Sequence, residues 1–174
     1  MNDRRRQREN VDNYAFIDGQ NLNLAVSSMG WKLDYGRFRV YLHDKFQVKK
    51  AYYFVGFIED NDNLYNYLKQ CGYELIYKPI LEYKKGGQSI VKGNVDAELV
   101  MHALIEYGNY HKAVIVSGDG DFHCLIEYLK AQNKLERLIV PNFNKYSALL
   151  RKFVPEMTFL NKNRGKLEYK KERH

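Results

Sequence analysis

An α/β domain built on a mostly parallel sheet of five to six strands, with helices on both faces, is predicted by three observations. Short apolar runs alternate along the chain with helical patterns. The runs, such as Tyr14-Ala15-Phe16-Ile17 and Val114-Ile115-Val116, are near-continuous, whereas a strand with one wet face alternates apolar and polar residues. The length of 174 residues suits one domain that buries a core without disulfides or structural metals.

Taken in order, strands are expected at 13–18, 50–58, 73–80, 112–117, 136–140 and 157–160. Helices are expected at 20–29, 34–46, 61–71, 94–107, 121–132 and 145–152. Asp34 can cap the second helix and Gly72 can end the third, while Pro141 and Asn142 stop the fifth strand. The segment 82–93 breaks the alternation. Its Gly86-Gly87 pair between two β-prone stretches suggests a hairpin or arm, with Tyr83 and the lysines suited to a nucleic-acid backbone. The many other tyrosines, including Tyr52, Tyr53, Tyr73 and Tyr77, follow from the strand preference of that side chain.

Of the net charge of +7, residues 1–10 carry +2 and residues 161–174 carry +4, leaving +1 on the stretch between. The expected organisation is a basic N-terminal tail over 1–10, a domain over 11–160 and a basic C-terminal tail over 161–174, the tails being too polar to join a core. Basic ends on a nearly neutral body fit a polyanionic partner. No stretch approaches the roughly 18 apolar residues of a membrane helix, which argues against a membrane partner. Cys71 and Cys124 lack CxxC spacing and read as buried thiols in a reducing compartment, so a cytoplasmic location is expected.

Four aspartates carry the chemistry. Asp18 ends the first apolar run, Asp119 and Asp121 follow the fourth, and Asp96 opens a helical stretch. In an open parallel sheet, ligands bind beyond the carboxyl ends of the strands where the winding reverses. If the first and fourth strands are neighbours there, Asp18 faces Asp119 and Asp121 across the crevice, with Asp96 at the same rim. Converging carboxylates resist joint ionisation unless a cation joins them, and a hard divalent ion such as Mg²⁺ or Mn²⁺ is the usual one. Asn21 and Ser117 are placed to support the site by hydrogen bonding without adding charge. Singly, each aspartate has a structural explanation as a turn residue or helix cap. Joint placement on one rim is what favours a site. His102 and His123 read as packed or solvated helix residues.

Three segments resemble the NYN domain, a branch of the PIN-like nuclease superfamily, and within it the LabA-like bacterial group. They are Phe16-Ile17-Asp18-Gly19-Gln20-Asn21-Leu22, Lys92-Gly93-Asn94-Val95-Asp96 and Ser117-Gly118-Asp119-Gly120-Asp121-Phe122. The resemblance spans roughly 13–160. It implies a Rossmann-like three-layer sandwich with strand order 3-2-1-4-5 and a Mg²⁺ or Mn²⁺ site on Asp18, Asp96, Asp119 and Asp121. It also implies RNA cleavage at that site. Where many relatives carry a further aspartate this chain has His102, which implies a weaker hold on a second metal.

The expected function is therefore metal-dependent endoribonuclease, with Lys84, Lys85, Lys92 and the tails on the RNA backbone. The alternative is an RNA-binding regulatory module that keeps the metal site and turns over little. RNA is the expected partner, with a homodimer as the assembly to test. Other metal-phosphate chemistries fit less well. A haloacid-type phosphatase wants an Asp-x-Asp pair after the first strand, and Asp18-Gly19-Gln20 lacks the second acid. No GxGxxG follows that strand for a dinucleotide.

Overall fold

The computed structural model describes residues 11–57, 61–79, 81–85, 88–92 and 95–171. Six strands form one sheet: β1 (Asn13–Asp18), β2 (Val48–Phe57), β3 (Glu74–Pro79), β6 (Ala113–Val116), β7 (Leu135–Val140) and β8 (Met157–Phe159). Their spatial order is β3-β2-β1-β6-β7-β8, and every neighbouring pair runs parallel. Counting only these strands, the order is 3-2-1-4-5-6, the expected arrangement with a sixth strand on the edge.

The apolar runs are continuous because helices cover both faces. On β1, Tyr14 and Phe16 join one core with Phe54, Leu99, Ile115, Phe122 and Leu138. Ala15 and Ile17 join the opposite core with Leu22, Phe38, Leu42, Val116 and Ile139. Period-two alternation therefore assigns each residue to a core, with no polar face left over. The first core lies under α4 (Asp96–Ile105) and α5 (His123–Ala131). The second lies under α1 (Gly19–Ser28) and α2 (Tyr35–Phe46). Helix α3 (Asp62–Gln70) buries Tyr65 and Leu68 beside β3.

Local signals set several element ends. The Asp34 carboxylate accepts from the Arg37 N–H at 2.9 Å and caps α2. Gly72 follows α3 with φ of +89°, a left-handed turn that a side chain would strain. Strand β7 ends at Val140, before Pro141. The segment between β3 and α4 contains the expected hairpin, β4 (Leu81–Lys85) paired antiparallel with β5 (Gln88–Lys92), Lys84 opposite Ser89. The expected turn at Gly86-Gly87 and the N-terminal tail over 1–10 lie outside the described residues.

Three expectations need correction. The segment 161–174 is not a free tail through its described part, which ends at 171. A 3₁₀ helix (Leu160–Asn163) and α6 (Arg164–Leu167) fold back onto α2, burying Leu160 and Leu167 in the second core. The Asp34 N–H donates to the Leu167 carbonyl at 2.8 Å and the Tyr169 N–H to the Lys32 carbonyl at 2.9 Å. Leu167, the one aliphatic residue of that stretch, anchors it beside Leu160 at the end of the expected domain. Leu167→Ala is accordingly expected to cost about 2 kcal/mol in urea unfolding, at the lower end of core truncations because the helix is peripheral. A dangling tail would give no change.

Second, the helix expected at 145–152 is a 3₁₀ helix at Ala148–Glu156 that includes Pro155, which has no N–H for a continuing ladder. Third, Cys124 is exposed and Cys71 only half-buried. Cys124 falls on the outer face of α5, whose buried residues are Leu125, Ile126 and Leu129. No helix among the described residues is long and apolar enough to cross a membrane.

Candidate metal centre

The carboxyl ends of β1 and β6 lie side by side, Ile17 opposite Val116. Each strand hands its chain to a turn that begins with a side-chain hydrogen bond. The Asp18 carboxylate caps α1 by accepting from the Asn21 N–H at 3.1 Å. Gly19 is required next to it, since a Cβ there would fall 2.4 Å from the Tyr53 ring and 2.7 Å from the Phe54 carbonyl oxygen. After β6, Asp119 caps the 3₁₀ turn Gly120–Phe122, its Oδ1 accepting from the Asp121 N–H at 3.0 Å.

Cross-links tie the two turns together. The Ser117 hydroxyl donates to Asp18 Oδ2 at 3.1 Å and accepts from the Asp119 N–H at 3.1 Å. Asn21 Oδ1 accepts from the Gly118 N–H at 2.8 Å. Asn21 and Ser117 thus join the two acidic turns by hydrogen bonds. Ser117→Ala would leave the Asp119 N–H without that acceptor and remove a donor from buried Asp18. It is expected to cost about 1–2 kcal/mol in denaturant unfolding.

Asp96 arrives from the other face, in the first turn of α4, where the helix N-terminus favours negative charge. Carboxylate oxygens of Asp96, Asp119 and Asp121 lie within 4.8 Å of one another. Asp18 falls outside that mutual spacing but is the buried member, 5% exposed. Its pKa is pushed up from 3.8 to about 6, first by burial and then by the charges of Asp96 and Asp119, against the lowering bonds from Asn21 and Ser117. Carboxylates this close repel one another unless a cation joins them. The donor set, all hard carboxylate oxygens, matches Mg²⁺ or Mn²⁺ better than a soft metal. Glu98, also in the first turn of α4, faces Lys78 instead, with Nζ 3.3 Å from Oε2.

Both histidines stay out of the cluster. The His102 Nδ1–H donates to the Glu98 carbonyl at 3.1 Å, and its ring packs on Tyr52 and Phe54 at centroid distances of 6.0 and 5.4 Å. The His123 Nδ1–H donates to the Gly120 carbonyl at 3.0 Å. Lys84, Lys85 and Lys92 are placed by backbone on the β4–β5 hairpin; their side chains lie outside the described residues.

One support escaped sequence reasoning. The segment before the 3₁₀ helix Ala148–Glu156 clamps the Asp119 turn from above. The Ser147 N–H donates to the Gly118 carbonyl at 3.0 Å, and a Cβ on Gly120 would meet Ser147 Oγ at 2.2 Å. The signal was present in Gly118-Asp119-Gly120, whose glycines permit that close approach, but nothing in the sequence names the approaching partner.

The acidic cluster thus stands at the carboxyl rim of a parallel α/β sheet, fed by strands on both sides of a winding reversal. The NYN domain family matches residues 14–161, and the chain belongs to that family. It is 30% identical over 124 residues to the "Low amplitude and bright protein LabA" of Synechococcus elongatus (strain ATCC 33912 / PCC 7942 / FACHB-805), covering 67% of each chain. The fold is similar to the crystal structure of a protein of unknown function from Vibrio parahaemolyticus RIMD 2210633. That match has a TM-score of 0.71 at 20% identity and covers 88% of this chain and 96% of the other.

Proposed function

We propose that the chain is a divalent-metal-dependent endoribonuclease whose centre is Asp18, Asp96, Asp119 and Asp121. The observation that carries this reading is the convergence of three carboxylates within 4.8 Å, from two separate segments, beside buried Asp18, whose pKa is raised first by burial and further by the charges of Asp96 and Asp119. Family membership supports a nuclease-like role, with RNA as the substrate.

In this reading Asp96, Asp119 and Asp121 supply the oxygens that hold Mg²⁺ or Mn²⁺, with Asp18 completing the set from the sheet side. The ion, when bound, supplies water activation and charge neutralisation at the scissile phosphate. The chain's own part is to keep the carboxylates in place. Ser117 joins Asp18 to the Asp119 turn, Asn21 joins α1 to Gly118, and Ser147 presses the Asp119 turn down. With water rather than the 2′-hydroxyl as the attacking group, hydrolysis is expected to leave a 5′-phosphate and a 3′-hydroxyl. The Lys84, Lys85 and Lys92 hairpin then contacts the RNA backbone without reading sequence.

The test is incubation of a structured and an unstructured RNA with Mn²⁺, Mg²⁺ or EDTA, followed by end-group analysis. Cleavage should need the added ion and give 5′-phosphate ends. Cyclic phosphate ends or cleavage in EDTA would refute the mechanism. RNA binding with negligible cleavage in Mn²⁺ would leave the regulatory module as the function.

A further inference from the structure

Next to the carboxylates, at the ends of β1 and β2 on the α1 face, lies a groove of about 650 Å³. Tyr53 is one of its lining residues, 4% exposed, its hydroxyl donating to the Gly19 carbonyl at 3.3 Å. Gly19 also lines the groove and directly follows Asp18, so the groove and the acidic cluster share one peptide.

The remaining lining sets aromatic and neutral polar groups beside the aliphatic side chains of Val26, Leu33, Val55 and Leu64. Tyr35, Tyr67 and Tyr169 contribute aromatic surface, and Tyr67 and Tyr169 are open to solvent, at 39% and 54% exposure. Tyr169 is there only because α6 folds back and pins the following strand to Lys32 and Leu33. Gln20, Asn23 and Asn61 add neutral amides that both donate and accept. Among the described residues the only charged side chain lining the groove is Lys32. A site with tyrosine rings, amides, one cation and no carboxylate suits a planar, polar-edged ring attached to an anion. It suits a free acid or a metal poorly.

We propose that this groove is a nucleobase subsite, stacking one base of the RNA strand whose phosphate meets the carboxylates across Gly19. The proposal rests on the RNA reading above and adds where a base is held. Stacking on tyrosine tolerates any base, so the subsite confers grip and register and little sequence choice. Lys32 then lies on the strand's phosphate.

The test is equilibrium binding, in EDTA, of a labelled uridine hexaribonucleotide and of an abasic ribose-phosphate hexamer. Tyr67→Ala and Tyr169→Ala are each expected to weaken the hexaribonucleotide about tenfold and leave the abasic ligand unchanged, with Tyr169→Phe close to wild type. Melting curves check that each variant is folded. Equal losses on both ligands, or none on either, would overturn the subsite. If wild type binds the hexaribonucleotide and the alanine variants bind it as well, the subsite fails alone and the groove is left for an apolar protein segment. Wild type that binds neither oligomer would instead remove the RNA reading and the subsite with it.

Discussion

Asp119→Asn is expected to lower metal-dependent RNA cleavage by at least on the order of 10²-fold, and Asp96→Asn to do the same. The change at Asp119 isolates charge from shape. Asparagine keeps an Oδ1 that can accept from the Asp121 N–H, so the 3₁₀ turn stays capped. What is lost is one of three carboxylates drawn within 4.8 Å, and with it affinity and geometry for a hard cation. Asp44→Asn, on the exposed face of α2 beside His43, is the matched control and should cleave at the wild-type rate. Near-normal cleavage by Asp119→Asn would show that the carboxylates do not hold the ion that matters.

The second large effect is on stability, through Asp18. Its folded pKa stands at about 6 against an ordinary 3.8, so between those values the native state holds a proton that the unfolded chain has given up. Stability of the metal-free protein should therefore rise as pH falls from about 6 toward about 4, and the ionised carboxylate should cost about 3 kcal/mol at pH 7, at about 1.4 kcal/mol per unit. Other groups titrate over the same range, so the informative quantity is a difference. Asp18→Asn has no proton to bind, and in EDTA it should be the more stable protein near pH 7. That advantage should shrink as pH approaches about 4. Urea unfolding of both proteins across this range measures it. A wild-type-minus-variant difference that does not change with pH would mean that the buried carboxylate is not under strain.

The parts of this molecule that were legible in its sequence are those where one physical cause acts locally. Buried strands flanked by helices must be apolar on both faces, so Tyr14 to Ile17 and Val114 to Val116 announced themselves, and with them the rim on which Asp18 and Asp119 stand. The Asp34 cap and the end of β7 before Pro141 follow from short-range chemistry. Contacts made across the chain were opaque. Ser147 meets Gly118 and Gly120 from nearly thirty positions away, and its side chain looks like any helix cap. Leu167 anchors the carboxyl segment, yet it sits among lysines and arginines whose charge suggested a tail. The exposed Cys124 shows the reverse error. Apolar character in a residue does not fix its side of a helix, and α5 buries its neighbours Leu125 and Ile126 instead.

The central claim, that these aspartates form a divalent-cation site, is tested most directly by thermal melting of wild type and Asp96→Asn with and without Mn²⁺. A cation that binds only the folded state raises the melting temperature with occupancy. Wild type should melt progressively higher as Mn²⁺ is added. Asp96→Asn should respond far less, yet in EDTA should be at least as stable as wild type, because a repulsive charge is gone. If the wild type is indifferent to millimolar Mn²⁺ and Asp96→Asn is the less stable protein in EDTA, the four aspartates are helix and turn caps, and the cation site does not exist.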